Sequence, residues 1–116
     1  MRGLQVALGL SLAVPMLVHR LAAQTPDGQA VYKEECKSCH GINGVPPQRA
    51  KEKYKKIKAL GEEKFVSGLT QDSIVIILAK GLDKDMKSFK DKLSDPEMQA
   101  VAAYIKELAE KKKAGT

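Results

Sequence analysis

The pentapeptide Cys36-Lys37-Ser38-Cys39-His40 is the most informative stretch of the chain. It contains both cysteines and one of the two histidines among 116 residues, so a match to its pattern by chance is rare. The pattern Cys-x-x-Cys-His is typical of covalent c-type haem attachment. We therefore expect one haem c, held by thioether bonds from Cys36 and Cys39, with His40 as the proximal ligand of its iron.

The spacing of these residues suits attachment from one side of a helix. Residues three positions apart share a helix face, so Cys36 and Cys39 can reach the two vinyl groups on one edge of a porphyrin. His40 follows Cys36 by about one helical turn, which brings its imidazole within reach of the iron. Two covalent bonds and one axial ligand would thus fix the haem to one short segment.

Three other roles suit these residue types less well. A disulfide between positions i and i+3 of a helix lacks the required geometry. A thioredoxin-like redox pair belongs to a βαβ context, which this sequence does not suggest, and it leaves His40 without a role. A zinc site needs a fourth ligand, and the only other histidine, His19, lies in the N-terminal apolar region.

Residues 1–23 have the features of a secretory signal peptide. Arg2 gives a short positive region, residues 3–18 are mostly apolar, and Leu21-Ala22-Ala23 precedes a polar stretch. The apolar run is too short to span a bilayer, which requires about 20 residues. We expect cleavage and export to the periplasm, which leaves residues 24–116 as one mature domain. The alternative is an uncleaved leader that anchors this domain to the membrane, facing the periplasm.

The surface is expected to be mildly basic. The 20 Lys and Arg residues outnumber the 14 Asp and Glu residues, a net charge of +6. Without Arg2 and Arg20 of the leader the balance is 18 to 14, or about +4. Such a surface suits acidic protein partners, and no nucleic-acid recognition motif accompanies the charge. The lysines that could attract an acidic partner are Lys51, Lys53, Lys55, Lys56, Lys58, Lys84, Lys87, Lys90 and Lys92. For the group within residues 51–58, a solvated basic face explains the pattern equally well.

Helical patterns cover most of the mature chain. A first helix is expected to begin at Thr25-Pro26-Asp27, to carry the haem cysteines near its end and to stop at Gly41. Residues 49–58 are polar but helix-prone, and residues 82–93 are expected to form a charged loop. Five aromatic residues and no tryptophan are few for a core, so a buried haem would supply apolar mass.

Two later helices have clear boundaries. Residues 71–80 are framed by Thr70 as the N-cap and Gly81 at the end, which favours a helix over a buried strand. The last helix begins with a capping box at Ser94-Asp95-Pro96-Glu97 and carries an apolar face at helical spacing. The mature chain is therefore predicted to be all-α, with about four helices around one covalently attached haem.

Two methionines of the mature chain are candidates for the sixth iron ligand. Met98 lies on the apolar face of the last helix, where packing is its expected role. Met86 lies among charged residues, where burial for packing alone is hard to explain. A thioether opposite histidine raises the reduction potential of a haem, and we predict that Met86 is the distal ligand.

These residues together resemble a known family. The series Gly28-x-x-x-Tyr32-x-x-x-Cys36-x-x-Cys39-His40-Gly41, the later Met86-x-x-Phe89 and a C-terminal helix with Tyr104 resemble a short bacterial monohaem class I cytochrome c. The resemblance implies a small class I cytochrome c fold in residues 24–116, with crossing N- and C-terminal helices. Gly28 would permit their close approach, and Tyr32 would lie against Val101 and Tyr104.

The resemblance also concerns the two iron ligands. It implies a proline carbonyl that accepts the Nδ1 proton of His40 and so orients the ring; Pro46 or Pro47 would serve, and Pro47 is the preferred candidate. Family members often have proline directly after the ligand methionine, whereas this chain has Lys87.

The sequence therefore predicts a soluble, monomeric electron-transfer protein that moves single electrons between redox partners and is not an enzyme. The alternative is a haem-based sensor or gas-binding module in which the sixth site is open or labile. A peroxidase-like role is disfavoured, because the chain has one haem motif and no distal histidine for acid–base chemistry.

Overall fold

The computed structural model describes residues 25–115 and, among the first 24 residues, only Gly3 and Gly9. The predicted signal peptide, apart from these two glycines, lies outside the described residues. Within residues 25–115 there are helices and no strands, and the predicted all-α class is confirmed. The helices are α1 (Gly28–Glu35), α2 (Lys37–His40), α3 (Gln48–Lys53), α4 (Glu63–Val66), α5 (Gln71–Lys80) and α6 (Asp95–Ala114). None of these helices is long and apolar enough to cross a bilayer.

The helix expected to carry the haem motif is divided in two. Asp27 caps α1, since its Oδ1 accepts hydrogen bonds from the amides of Gln29 and Ala30 at 2.9 and 3.3 Å. Cys36 then ends α1, and its own N–H donates to the Tyr32 carbonyl at 2.9 Å. The chain continues directly as α2, so the motif occupies a short helix of its own.

The boundaries of α5 and α6 agree with the prediction. Thr70 Oγ1 accepts a hydrogen bond from the Ser73 amide at 3.1 Å and caps α5, and Gly81 ends it. At the start of α6, Ser94 and Glu97 form the predicted capping box: the Glu97 amide donates to Ser94 Oγ at 3.3 Å, and the Ser94 amide donates to Glu97 Oε2 at 2.8 Å. Both helices therefore begin where local hydrogen bonding fixes them.

Helix α6 is the centre of the fold and packs against α1, α4 and α5. Its buried face includes Met98, which confirms the expected packing role of that methionine. At the contact with α1, a Cβ atom on Gly28 would overlap the carbonyl group of Ala100. Only glycine permits this backbone approach. The Tyr32 and Tyr104 rings meet alongside it, with centroids 5.3 Å apart.

The helix predicted over residues 49–58 is wrong beyond Lys53. Helix α3 ends there, and Tyr54 has the non-helical dihedrals φ −117° and ψ 89°. The chain then turns back so that the Gly61 amide donates to the Gly44 carbonyl at 3.0 Å. This segment offers few apolar residues for a helical face, so long-range backbone bonding, rather than helix propensity, determines its path.

Candidate haem site

The pentapeptide is brought into one compact site by α2. Cys36 is buried at its start, whereas Cys39 and His40 are half-buried at its end. Both thiols are free, so the two cysteines do not form a disulfide. Among the described residues there is no cluster of three or more His, Cys, Asp or Glu side chains that could hold a metal ion by themselves. The zinc and disulfide alternatives therefore find no support in residues 25–115.

The environment of Cys36 disfavours a redox role for its thiol. Burial, aided by the neighbouring charges of Glu35 and Cys39, raises the pKa of Cys36 to about 12. Reactive cysteines of redox proteins have a lowered pKa that maintains the thiolate. In the folded chain Cys36 is therefore a structural group, as a haem-bonded sulfur would be, and not a thioredoxin-like nucleophile.

The His40 ring is oriented by a backbone carbonyl. Its Nδ1 lies 2.9 Å from the carbonyl oxygen of Lys58, which leaves Nε2 as the nitrogen that can bind iron. Burial lowers the pKa of His40, and the Lys58 carbonyl partly opposes this effect. The ring is therefore neutral near pH 7, and a neutral imidazole is the form that ligates a metal.

The predicted acceptor for His40, the carbonyl of Pro47, is wrong. Pro47 is the N-cap of α3, and its carbonyl accepts hydrogen bonds from the amides of Ala50 and Lys51 at 2.9 and 3.1 Å. That carbonyl is used to begin a helix, and Lys58 fills the expected role. No sequence pattern points to Lys58, because every residue has a backbone carbonyl and no side chain marks this one.

A tight turn follows His40 and joins the site to the core. The buried hydroxyl of Tyr32 donates to the Gly41 carbonyl at 2.7 Å. Gly44 has a φ of +74°, and a Cβ atom on it would overlap the backbone of Gly61. These contacts connect α1, the turn and the segment before α4, and so fix the position of α2.

The loop between α5 and α6 carries Met86, which is half-buried and packs against the core. Hydrogen bonds from the amides of Met86 and Asp85 lower the pKa of Asp83. The charge of Lys56 contributes further to this shift. The loop is therefore close to the lysines that follow α3.

The same loop is close to the haem motif. The pKa of Lys53 is raised, first by its hydrogen bond to Tyr54 and in smaller part by the charges of Cys39 and Asp85. The Lys53 ammonium is therefore within electrostatic range of both Cys39 of the motif and Asp85 of the Met86 loop.

Exposed apolar side chains lie near the haem motif in the sequence and in the Met86 loop. Ile42 and Val45 lie in the turn after His40 and are 55% and 43% exposed, and Leu82 in the Met86 loop is 61% exposed. Exposed large apolar side chains are a common feature of surfaces that bind an apolar ligand.

The fold and the site together define a class of protein. The domain is small and helical, and its two thiols and one imidazole lie within five consecutive residues. A backbone carbonyl orients the imidazole, and a loop carries a methionine. This is the donor set that a c-type haem requires. The residues present therefore fit a covalently attached haem, and the class is that of the small c-type cytochromes.

Comparison with known proteins identifies the family. The family model described as cytochrome C oxidase, cbb3-type, subunit III, matches residues 23–105. A cytochrome c6-like protein of Nostoc is 36% identical over 92 residues, which cover 78% of this chain and 76% of the relative. Cytochrome c6 of Thermosynechococcus vestitus is 31% identical over 109 residues, which cover 94% and 92%. The chain therefore belongs to the cytochrome c family, as a class I c-type cytochrome.

A solved structure supports the same fold. The KustC0563 c-type cytochrome superposes with a TM-score of 0.64 over 72% of this chain and 98% of its own, at 23% sequence identity. Family membership gives this protein a covalently attached haem c and an electron-transfer role. Haem c supplies an iron that alternates between Fe(III) and Fe(II), and the polypeptide binds it and sets its potential.

Proposed function

We propose that this protein is an electron carrier whose haem is bound by thioethers from Cys36 and Cys39 and ligated by His40 and Met86. The observation that carries the proposal is the placement of Cys39 and His40 on α2, with Cys36 directly before it and Nδ1 of His40 held 2.9 Å from the Lys58 carbonyl. That arrangement leaves a neutral, oriented Nε2 close in the chain to the two attachment points.

Each protein group has a defined task in this proposal. The thioethers prevent loss of the haem, and the Lys58 carbonyl keeps the His40 ring in one orientation and raises its basicity. A methionine thioether opposite histidine raises the reduction potential. With both His40 and Met86 holding it, the haem would exchange single electrons with little rearrangement of the protein and without chemical conversion of a substrate.

Support for Met86 comes from its surroundings. It is half-buried, whereas residues 82–85 and 87–88 on either side of it are exposed. The charges of Asp85 in this loop and of Cys39 in the motif both act on Lys53. Met98, the other methionine among residues 25–115, is buried in the hydrophobic core. These surroundings favour Met86 over Met98 as the proposed distal ligand.

A direct test compares the wild-type protein with Met86→Ala and Met98→Leu after expression in a host that attaches c-type haem. Intact mass should show the polypeptide plus one haem in all three, at a mass that also reports removal of residues 1–23. Oxidised wild type and Met98→Leu should show the methionine-to-Fe(III) charge-transfer band at the red end of the visible spectrum, and Met86→Ala should lose it. A wild-type protein without this band would have an open or differently filled sixth site.

We further propose that the protein is exported to the periplasm as a monomer and meets acidic redox partners. Lys53 and Lys56 are exposed beside the site, and so are Lys84 and Lys87 on the Met86 loop. Positive charge around an exposed haem edge would accelerate encounter with a negatively charged partner.

A small anionic oxidant tests whether these lysines attract negatively charged partners. Oxidation of the ferrous protein by anionic ferricyanide should slow as ionic strength rises, and the double variant Lys53→Glu/Lys56→Glu should weaken that dependence strongly. The matched control is Lys33→Glu/Lys64→Glu, which makes the same change in net charge at exposed lysines outside the 51–58 and 84–92 groups. Equal effects of the two double variants would mean that only net charge matters.

A further inference from the structure

We propose that Asp83 is a positioning residue that fixes the backbone of Met86, so that the thioether is held toward the haem iron. This inference rests on the proposed function, because it assumes that Met86 is the distal ligand. Neither the haem motif nor the resemblance to class I cytochromes assigns a role to Asp83.

The central observation is that one carboxylate oxygen of Asp83 accepts two hydrogen bonds. Asp83 Oδ1 accepts hydrogen bonds from the amides of Asp85 and Met86, each at 2.9 Å. Bonds to an ionised acceptor are stronger than bonds between neutral groups. The Asp83 side chain therefore fixes the chain direction immediately before the Met86 side chain.

The Met86 carbonyl is held by the same short segment. It accepts a hydrogen bond from the Leu82 amide at 2.9 Å and a longer one from the Asp83 amide at 3.5 Å. Both backbone polar groups of Met86 are thus bonded to residues 82–83. The loop closes on itself around the methionine, and its conformation at that point depends on Asp83.

The far end of the loop is anchored separately to α5. Ser88 Oγ donates to the Ala79 carbonyl at 2.6 Å, and the Phe89 amide donates to the Leu78 carbonyl at 2.8 Å. Because these bonds hold residues 88–89, the loss of the Asp83 contacts should loosen the backbone at Met86 without releasing the whole loop.

The residue after Met86 explains why such a constraint is needed. A proline there would fix its own φ near −65° and restrict the conformation of Met86. This chain has Lys87 at that position, which imposes neither restriction. The two hydrogen bonds to Asp83 supply a constraint from the other side of the methionine.

Asp85 provides a matched control within the same loop. It is exposed, as Asp83 is, and carries the same charge. No hydrogen bond to its carboxylate is found within residues 25–115, whereas Asp83 Oδ1 accepts two. An alanine substitution at either position changes the net charge equally, and only the one at position 83 removes the bonds to the Met86 backbone.

The experiment compares haem-loaded wild type, Asp83→Ala, Asp83→Asn and Asp85→Ala. Two quantities are measured in the oxidised proteins: the intensity of the methionine-to-Fe(III) band and the affinity for added imidazole, which competes with the methionine. We expect Asp83→Ala to weaken the band and to bind imidazole about three- to tenfold more tightly. Asp85→Ala should match the wild type, and Asp83→Asn, which keeps an acceptor oxygen, should restore most of the difference.

The outcomes separate the two proposals. A wild-type protein without the band would overturn Met86 ligation, and the role of Asp83 with it. A wild-type band that is equally strong in Asp83→Ala, with unchanged imidazole affinity, would overturn the role of Asp83 alone, as would equal effects of Asp83→Ala and Asp85→Ala.

Hydrogen exchange in the wild-type protein gives a second measurement that needs no alanine variant. The Asp85 and Met86 amides should exchange more slowly than the Lys84 amide, which finds no hydrogen-bond acceptor within residues 25–115. Equal exchange rates at all three amides would contradict the proposal.

Discussion

The contact between α1 and α6 and the haem-binding side of the molecule are built in different ways. At the contact, side chains such as Tyr32 and Val101 are fully buried, and the backbones of Gly28 and Ala100 touch. On the haem-binding side, short helices alternate with turns, and backbone carbonyls such as that of Lys58 act as acceptors. The first region is stabilised by apolar packing and the second by directional hydrogen bonds.

The difference shows how the fold separates stability from function. Both surfaces of the contact between α1 and α6 are supplied by the polypeptide. The turns on the haem-binding side determine the positions of His40 and Met86, the two proposed ligands, and they leave apolar side chains such as Ile42 and Leu82 exposed. Substitutions in the two regions should therefore change different observables, and the following variants test this.

The largest effect is expected from Gly28→Ala. The new Cβ would overlap the Ala100 carbonyl, and backbone atoms cannot move aside as a flexible side chain can. We expect the free energy of unfolding to fall by about 3 kcal/mol, measured by denaturant titration of the haem-loaded protein. Gly68→Ala is the control, because nothing lies within 4 Å of a Cβ atom there. A change at Gly28 as small as the one at Gly68 would show that the helices can separate at little cost.

On the haem-binding side, Gly44→Ala is the corresponding variant. Its positive φ and the nearby Gly61 backbone both oppose a side chain, and we expect a loss of about 2 kcal/mol. Unlike Gly28→Ala, it should also alter the circular dichroism of the haem absorption bands, because the turn joins α2 to the segment that carries Lys58. Unchanged haem bands in this variant would contradict the proposed division between the regions.

Tyr32→Phe tests the hydrogen bond that links the two regions. It removes the donor to the buried Gly41 carbonyl, which then has lost its 2.7 Å partner, and should cost about 1–2 kcal/mol in denaturant titrations. Tyr104→Phe removes the same atom from the neighbouring ring, whose hydroxyl has no hydrogen bond within the described residues, and should cost less than about 0.5 kcal/mol. Similar losses in both variants would exclude a specific role for the Tyr32 hydroxyl.

The smallest effect concerns the start of α6 and depends on pH. Hydrogen bonds from the Ser94 amide, and then from its hydroxyl, lower the pKa of Glu97 from its ordinary 4.5. Because the folded-state pKa is the lower one, the stabilisation is complete above about pH 4.5 and is lost as the pH falls through the folded-state pKa. The stability difference between wild type and Glu97→Gln should therefore shrink on acidification. A stability difference between wild type and Glu97→Gln that does not change with pH would contradict this contribution.

The packed region was largely predictable from the sequence because its signals are local. Thr70 and Gly81 mark the ends of α5, and the Ser94–Glu97 box marks the start of α6. The helical spacing of apolar residues identified the buried face that includes Met98. Capping and periodicity are properties of neighbouring residues, so they can be read without knowledge of the fold.

The haem-binding side was predictable only in its side chains. The sequence pointed to Cys36, Cys39 and His40, and the structure brings them together on α2. It did not reveal the Lys58 carbonyl, because a backbone acceptor has no residue-type signature. Residues 54–58 were also predicted as helix, since the long-range bond between Gly44 and Gly61 that redirects them leaves no local pattern.

The use of a main-chain oxygen at position 58 has a consequence for mutational tolerance. The contact to His40 involves the carbonyl alone, and the Lys58 ammonium lies 5.6 Å from the centre of the Phe65 ring, outside that contact. Side-chain replacements at this position can therefore accumulate while the imidazole keeps its partner. Sequence drift at residue 58 would alter the surface charge of the protein and leave the orientation of the His40 ring intact.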